Sequence, residues 1–281
     1  MYDYLITGGT GFIGSNLIQS LDNKKILLIS RKKVKTKNKY INVLVYKNIS
    51  DLNFKLEKIK ARNIIHCATH YVKNHKKNDI KKIFEANILL GNIILENSKK
   101  LNAKKFVNIS TVWELNYDLK NSFFNLYSLS KKIFSEIIDF YSVNNKELKF
   151  YSLFLLDTFG KQDRRIKILN VIKKNIVKNK KTKIESENLI MNFLNIKDVI
   201  NAIKLICNKD NLRPKNYIVC NSNNFKIKKI IEKYNFLNKK KIQYKFLNKK
   251  KIGPKLPNIS KLPNWKINHS NMFDIIKFLK N

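Results

Sequence analysis

The sequence predicts an α/β fold, a doubly wound parallel sheet with a smaller C-terminal lobe. Three observations predict it. Short apolar runs alternate with amphipathic helical stretches through the first half of the chain. Those runs are nearly continuous rather than alternating, as strands covered on both faces require. A glycine-rich turn follows the first run and opens the first helix. Right-handed crossovers between such strands wind the sheet in two directions.

The elements follow in order. Tyr4 to Thr7 is a strand and Phe12 to Leu21 an amphipathic helix. Ile26 to Ile29, Asn42 to Tyr46 and Asn63 to His66 are the second to fourth strands. Asp79 to Lys100 is one long helix, with Ile80, Ile83, Phe84, Ala86 and Ile88 near helical spacing. Lys105 to Ile109 is the fifth strand, Asn125 to Ser142 a helix, and Lys149 to Leu156 the sixth strand. The second half is less regular. Asn192 to Ile196 is a short strand, and Asp198 is positioned to N-cap a helix running to Cys207. Tyr217 to Cys220 is another short strand. Residues 224–255 are Lys-rich and broken, with Gly253-Pro254 and Pro257 marking loops. No internal repeat is present. Residues 1–160 are expected to form the sheet domain and 161–281 the smaller lobe, with 190–221 returning to the sheet.

Composition bounds the function. The chain has 281 residues, with 58 Lys plus Arg against 20 Asp plus Glu and a formal net charge of +38. Hydrophobic residues make up 43%, enough for a sizeable core, which excludes a disordered basic tail. Such a charge is the footprint of phosphate binding. Lys, Asn and Ile are inflated together, however, and share A/T-rich codons, so drift in base composition accounts for most of it. The positive charge is spread over loops and helix surfaces, without the aromatic-interleaved stripe of nucleic-acid readers. Lys239 to Lys251 has little sustained amphipathicity, which argues against a membrane-surface patch. Cys67, Cys207 and Cys220 include no C-x-x-C pair and suit a reducing compartment. His66 and His70 fall at a strand end, so no metal site is expected. No apolar run approaches the roughly 20 residues that span a bilayer. A cytoplasmic protein, without membrane insertion and without nucleic acid as partner, is expected.

Thr7-Gly8-Gly9-Thr10-Gly11-Phe12-Ile13-Gly14 holds four of the chain's 7 glycines. Gly9-x-Gly11-x-x-Gly14 is the dinucleotide fingerprint: a tight turn, close backbone approach to a pyrophosphate and close helix–strand packing. The helix N-terminus adds amides and a positive dipole end. Gly8, Gly11, Phe12, Ile13 and Gly14 are the candidate pyrophosphate contacts. An Asp or Glu ending the second strand would bond the ribose 2′-hydroxyl of NAD. Ser30-Arg31-Lys32 stand there instead and suit a 2′-phosphate. NADP(H) is the preferred cofactor, with NAD the second choice.

Tyr127-Ser128-Leu129-Ser130-Lys131 carries the candidate chemistry. On a helix, residues i and i+4 share a face, so phenol and ammonium sit together. A free Tyr has a pKa of about 10, and a neighbouring positive charge favours its phenolate. Ser110 and Thr111 end the fifth strand at the sheet edge where open α/β proteins bind ligands. Either hydroxyl qualifies to hold a carbonyl, and alternation points them to opposite faces.

Together these residues resemble the extended short-chain dehydrogenase/reductase superfamily, a Rossmann-type fold, in its nucleotide-sugar epimerase/dehydratase branch. The resemblance also rests on Ile64 to Thr69, Asn87, Phe159-Gly160, Phe193-x-x-Ile196-x-Asp198-Val199 and Asn264-Trp265-Lys266. Phe106 to Trp113 and Leu155 to Asp163 look most like the CDP-abequose/CDP-paratose synthase group, which reduces a 4-keto-6-deoxy nucleotide sugar with NADPH. The resemblance implies Thr111, Tyr127 and Lys131 as catalytic residues, with Thr111 rather than Ser110 at the hydroxyl position. It implies cofactor contacts from Cys67, Ala68, Thr69, Asn87, Asn108, Tyr127 and Lys131. It implies substrate contacts from Thr111, Val112, Trp113 and Asp157, with Arg164, Arg165 and Lys167 as candidate diphosphate binders. It also implies a homodimer through two long helices.

The departures are informative. The dehydratases of this superfamily carry Asp-Glu directly after the catalytic Thr, where Val112-Trp113 stand here and cannot do acid–base work. Met191 replaces an Arg usual before the late Phe-x-x-Ile segment, and Lys161 replaces a Pro. The expected activity is NADPH-dependent reduction of the 4-keto group of a nucleotide-linked 4-keto-6-deoxy sugar, in deoxysugar and surface-polysaccharide biosynthesis. The alternatives are a 4-epimerase with retained NAD and a non-catalytic NADP-sensing or RNA-binding protein.

Overall fold

The computed structural model describes residues 1–115, 123–247 and 258–280. The loop assigned to Gly253-Pro254 and Pro257 and the end of the 239–251 stretch lie outside the described residues. The chain divides into two compact units.

The first unit comprises Met1–Leu155, Ala202–Ile218 and Pro257–Leu262. It opens with β1 (Tyr2–Thr7), α1 (Phe12–Gln19), β2 (Ile26–Ser30), β3 (Ile41–Val45), α2 (Ile49–Leu56) and β4 (Ala61–His66). Helix α3 (Lys77–Phe84) runs through a π-helical turn, Glu85–Leu89, into α4 (Leu90–Glu96). Then come β5 (Lys105–Thr111), a 3₁₀ turn at Val112–Glu114, α5 (Leu126–Asn144) and β6 (Lys149–Leu155).

The second unit comprises Leu156–Asn201, Val219–Leu256 and Pro263–Asn281. It begins with β7 (Asp157–Phe159), α6 (Ile168–Val177), β8 (Thr182–Ile184), β9 (Ile190–Met191) and β10 (Phe193–Asn195). Helix α7 (Ile196–Asn208) starts in this unit and ends in the first, where β11 (Lys215–Val219) follows. The remaining elements are β12 (Phe225–Lys226), α8 (Ile227–Leu237), β13 (Tyr244–Phe246) and α9 (Met272–Lys280).

Among the described residues the main sheet has the order β11-β6-β5-β4-β1-β2-β3. The six strands from β6 to β3 run parallel. The order reverses between β1 and β4, and a doubly wound sheet opens a ligand crevice at such a point. Sheet residues Leu5, Leu27, Ile64 and Phe106 pack with helix residues Ile94, Leu95, Phe134 and Ile138. Gly91 lets α4 meet α5 closely, since a Cβ there would stand 2.2 Å from the Phe134 ring. The second unit has its own core, with Phe159, Phe193, Ile172, Ile230, Ile231 and Ile275 at its centre. Three short two-stranded pairings, β7 with β10, β9 with β12 and β8 with β13, frame that core.

Several elements differ from the sequence-based expectation. Helix α2 was hidden because Ile49 to Leu56 is short and mixed, yet Asn48 caps it by accepting from the Asp51 amide at 2.9 Å. The long helix 79–100 is interrupted by the π turn. Residues 224–255 contain α8, whose Ile227, Ile230, Ile231 and Tyr234 are buried at helical spacing. Asp198 does not N-cap α7, which starts two residues earlier. Its carboxylate accepts instead from the Asn268 and His269 amides, each at 3.0 Å, and from the Ser270 hydroxyl. Tertiary partners took the oxygens that a local cap would have used.

Candidate active site

The switch point is tightly built. Buried Thr7 ends β1, and its Oγ1 meets His66 Nδ1 at 3.0 Å and accepts from the Ala68 amide at 3.2 Å. Gly8 has φ +67°, and a Cβ on it would stand 2.6 Å from the Ala68 nitrogen. A Cβ on Gly14 would stand 2.4 Å from the Gly8 carbonyl oxygen, so the first turn of α1 sits directly against the loop. A Cβ on Gly11 would meet only that same oxygen, at 3.2 Å, and otherwise enter open space. Gly11 offers α1 no side-chain cap. This bare cradle at a helix N-terminus, with Phe12 and Ile13 opening the helix, fits a pyrophosphate. Ser30, Arg31 and Lys32 follow at the end of β2. Arg31 is exposed, with its guanidinium 3.9 Å from the Glu85 carboxylate.

The loop after β4 is held by Asn87, which the π turn directs inward. Its Oδ1 accepts from the Thr69 hydroxyl at 3.0 Å and the His70 amide at 2.7 Å. Its amide donates to Ser130 Oγ at 2.8 Å. Asn87 is fully buried, so it ties the loop Cys67-Ala68-Thr69 to α5. Burial pushes the Cys67 thiol up to about 12, and so leaves it un-ionised. Burial, with the Lys131 charge adding to it, pushes His66 down to about 3.

Helix α5 starts with a capping box between Asn125 and Ser128. That cap fixes Tyr127 in the first turn and Lys131 one turn later. Lys131 is 1% exposed; its Nζ donates to the Ile109 carbonyl at 2.9 Å and to Asn108 Oδ1 at 3.4 Å. Burial lowers its proton affinity, and the Glu114 carboxylate opposes that. The Tyr71 ring meets the Tyr127 ring edge-on at 4.9 Å. Strand alternation separates the two hydroxyls ending β5. Ser110 turns to Glu114, whereas Thr111 Oγ1 accepts from the Trp113 amide at 3.3 Å. Val112 is fully buried, and Trp113 stacks on Phe124 at 5.2 Å.

The basic cluster of the second unit is partly engaged. Arg165 bonds Asp163 and Thr158, with Nε 2.7 Å from Asp163 Oδ1. Lys167 pairs with Asp157 at 3.0 Å. Arg164 is exposed. Among the described residues no group of three or more His, Cys, Asp or Glu could hold a metal. No described helix is long and apolar enough to cross a membrane.

The sequence profile of the NAD dependent epimerase/dehydratase family matches residues 4–220. The chain belongs to that family. It is an NAD(P)-dependent enzyme of the oxidoreductase and epimerase type. Its similarity to curated epimerase/dehydratase relatives includes the CDP-abequose synthase of Salmonella muenchen, 28% identical over 70% of this chain and 67% of that one. The CDP-abequose synthase of Yersinia pseudotuberculosis is 27% identical over 74% of each chain. Among solved structures, MoeE5 in complex with UDP-glucuronic acid and NAD superposes with a TM-score of 0.81 at 13% identity, over 99% of both chains. The UDP-glucuronic acid 4-epimerase of Bacillus cereus, with UDP-glucuronic acid and NAD, gives 0.78 at 19% over 99% of this chain and 98% of that one. These likenesses show the fold.

Sequence reasoning missed Glu114, Ser130, Ser135 and Tyr71. Glu114 and Ser135 carried a faint signal, each lying four residues beyond a residue already singled out, Ser110 and Lys131.

Proposed function

We propose that the protein reduces the 4-keto group of a nucleotide-linked 4-keto-6-deoxy sugar, with NADPH preferred. The observation that carries this is Val112-Trp113, one buried and one stacked on Phe124, directly after Thr111. Neither side chain can move a proton, so this chain lacks the acid–base pair that removing the 6-hydroxyl as water would need. The similarity to the two CDP-abequose synthases supports the substrate class. When bound, the reduced nicotinamide supplies the hydride. Tyr127 donates the proton from its phenol to the carbonyl oxygen, and Thr111 Oγ1 orients that oxygen. Lys131, held by the Ile109 carbonyl, supplies the positive charge that eases the phenol's ionisation. Arg31 and Lys32 are assigned to the 2′-phosphate, and Arg164, with Arg165 and Lys167, to the diphosphate.

The test is NADPH consumption with CDP- and dTDP-linked 4-keto-6-deoxy sugars. Tyr127→Phe is expected to lose about 10²–10⁴-fold in kcat, as loss of a positioned acid does. Retained turnover in that variant overturns the assignment.

One observation favours a second reading, a 4-epimerase with retained NAD. Glu85 places a carboxylate 3.9 Å from Arg31, where it would oppose a 2′-phosphate. Purification with tightly bound NAD, and sugar interconversion without net cofactor use, would establish that reading instead.

A further inference from the structure

Glu114 is fully buried at the end of the 3₁₀ turn that follows Thr111. A carboxylate there is expensive to remove from water, and an apolar side chain would fill the same volume. The carboxylate is instead fully engaged. One oxygen accepts from the Ser110 hydroxyl and the other from the Ser135 hydroxyl at 2.5 Å. Ser110 lies on β5 beside Thr111 and next to Ile109, whose carbonyl accepts a hydrogen bond from Lys131 Nζ. Ser135 lies on α5 at i+4 from Lys131, on the same face. Glu114 therefore spans β5 and α5, the two elements that carry the catalytic candidates.

We propose that Glu114 is a positioning residue that braces β5 against α5 and serves as the counter-charge of the buried Lys131. The proposal rests on the roles assigned above to Tyr127 and Lys131. Burial lowers the proton affinity of Lys131 and raises that of Glu114, and the charge of each opposes the shift in the other. The other titratable groups around them are Lys132 on α5 and His66 and Cys67 at the end of β4. His66 and Cys67 are both held neutral by burial, which leaves Glu114 the only negative charge among these groups.

Two measurements test this. Glu114→Gln keeps the shape and removes the charge. The first proton to leave the coupled Tyr127–Lys131 pair then leaves more easily, whichever residue gives it up. The alkaline limb of kcat/KM for reduction should move to lower pH by about one unit, and Glu114→Asp should move it back. A limb unchanged in Glu114→Gln overturns the proposal. The second measurement needs neither substrate nor cofactor, and its comparison of Lys131→Met with the wild type holds if Glu114→Gln fails to fold. Infrared spectra of Lys131→Met should gain the carbonyl band of a buried protonated acid, absent from the wild type and from Lys131→Met/Glu114→Gln. No new band in Lys131→Met overturns the coupling. A new band in Lys131→Met, together with a wild type that lacks reductase activity, supports the Glu114–Lys131 pairing and refutes the proposed function alone.

Discussion

At the scale of single residues, charge placement carries the proposed cofactor preference and an acid sensitivity of the fold. Arg31→Ala is expected to raise KM for NADPH about tenfold or more, as loss of a charged hydrogen bond does, and to leave KM for NADH nearly unchanged. Steady-state kinetics with both cofactors check this, and an unmoved NADPH/NADH ratio removes the NADP preference. His66 sits neutral, with its proton affinity pushed down to about 3. Between pH 6.5 and 3 the unfolded chain therefore takes a proton that the folded chain refuses. Its contribution is complete above pH 6.5 and is lost as pH falls, by at most about 1.4 kcal/mol per unit. His66→Asn should show a smaller drop in urea midpoint from pH 7 to pH 5 than the wild type. The candidate residues were legible in the sequence, because Gly9-x-Gly11-x-x-Gly14 and Tyr127-x-x-x-Lys131 are local patterns. Glu114 was not, because its partners Ser110 and Ser135 come together only through the fold.

At the scale of elements, the fit between helices and sheet depends on a few buried polar ties. Lys105 is 2% exposed at the start of β5, and its Nζ donates to the carbonyls of Ile206, Cys207 and Lys209. It also pairs with Asp210 at 2.9 Å. It thus caps the C-terminus of α7, where a cation favours the helix dipole. Lys105→Met should cost about 3 kcal/mol, since three carbonyls lose a charged donor. Urea unfolding would measure it. The strands were legible because both faces are buried and their apolar runs are continuous. The break between α3 and α4 was not. The π turn adds about one residue to its turn, which rotates α4 by roughly 100° relative to α3. That offset lets Asn87 face Ser130 while Gly91 faces the Phe134 ring. A one-residue deletion within Glu85–Leu89 would force one of the two contacts to be given up.

At the scale of the whole molecule, the net charge of +38 acts on approach more than on recognition. Cofactor and proposed substrate are both anions, so added salt should slow their association and leave dissociation nearly constant. Stopped-flow binding of NADPH at low and high ionic strength checks this, and a salt-independent association rate removes the steering role. The sheet could be inferred from the first 160 residues because its βα units are contiguous there. The second unit was harder, since β7 to β10 are two or three residues long and carry almost no periodicity of their own. That unit is assembled from three separate pieces, Leu156–Asn201, Val219–Leu256 and Pro263–Asn281. It therefore cannot be exchanged alone by a single recombination event: a crossover at Leu156 carries Ala202–Ile218 and Pro257–Leu262 of the first unit with it, and one further along yields a unit of mixed parentage. A graft that moves this unit whole therefore also moves β11, a strand of the main sheet.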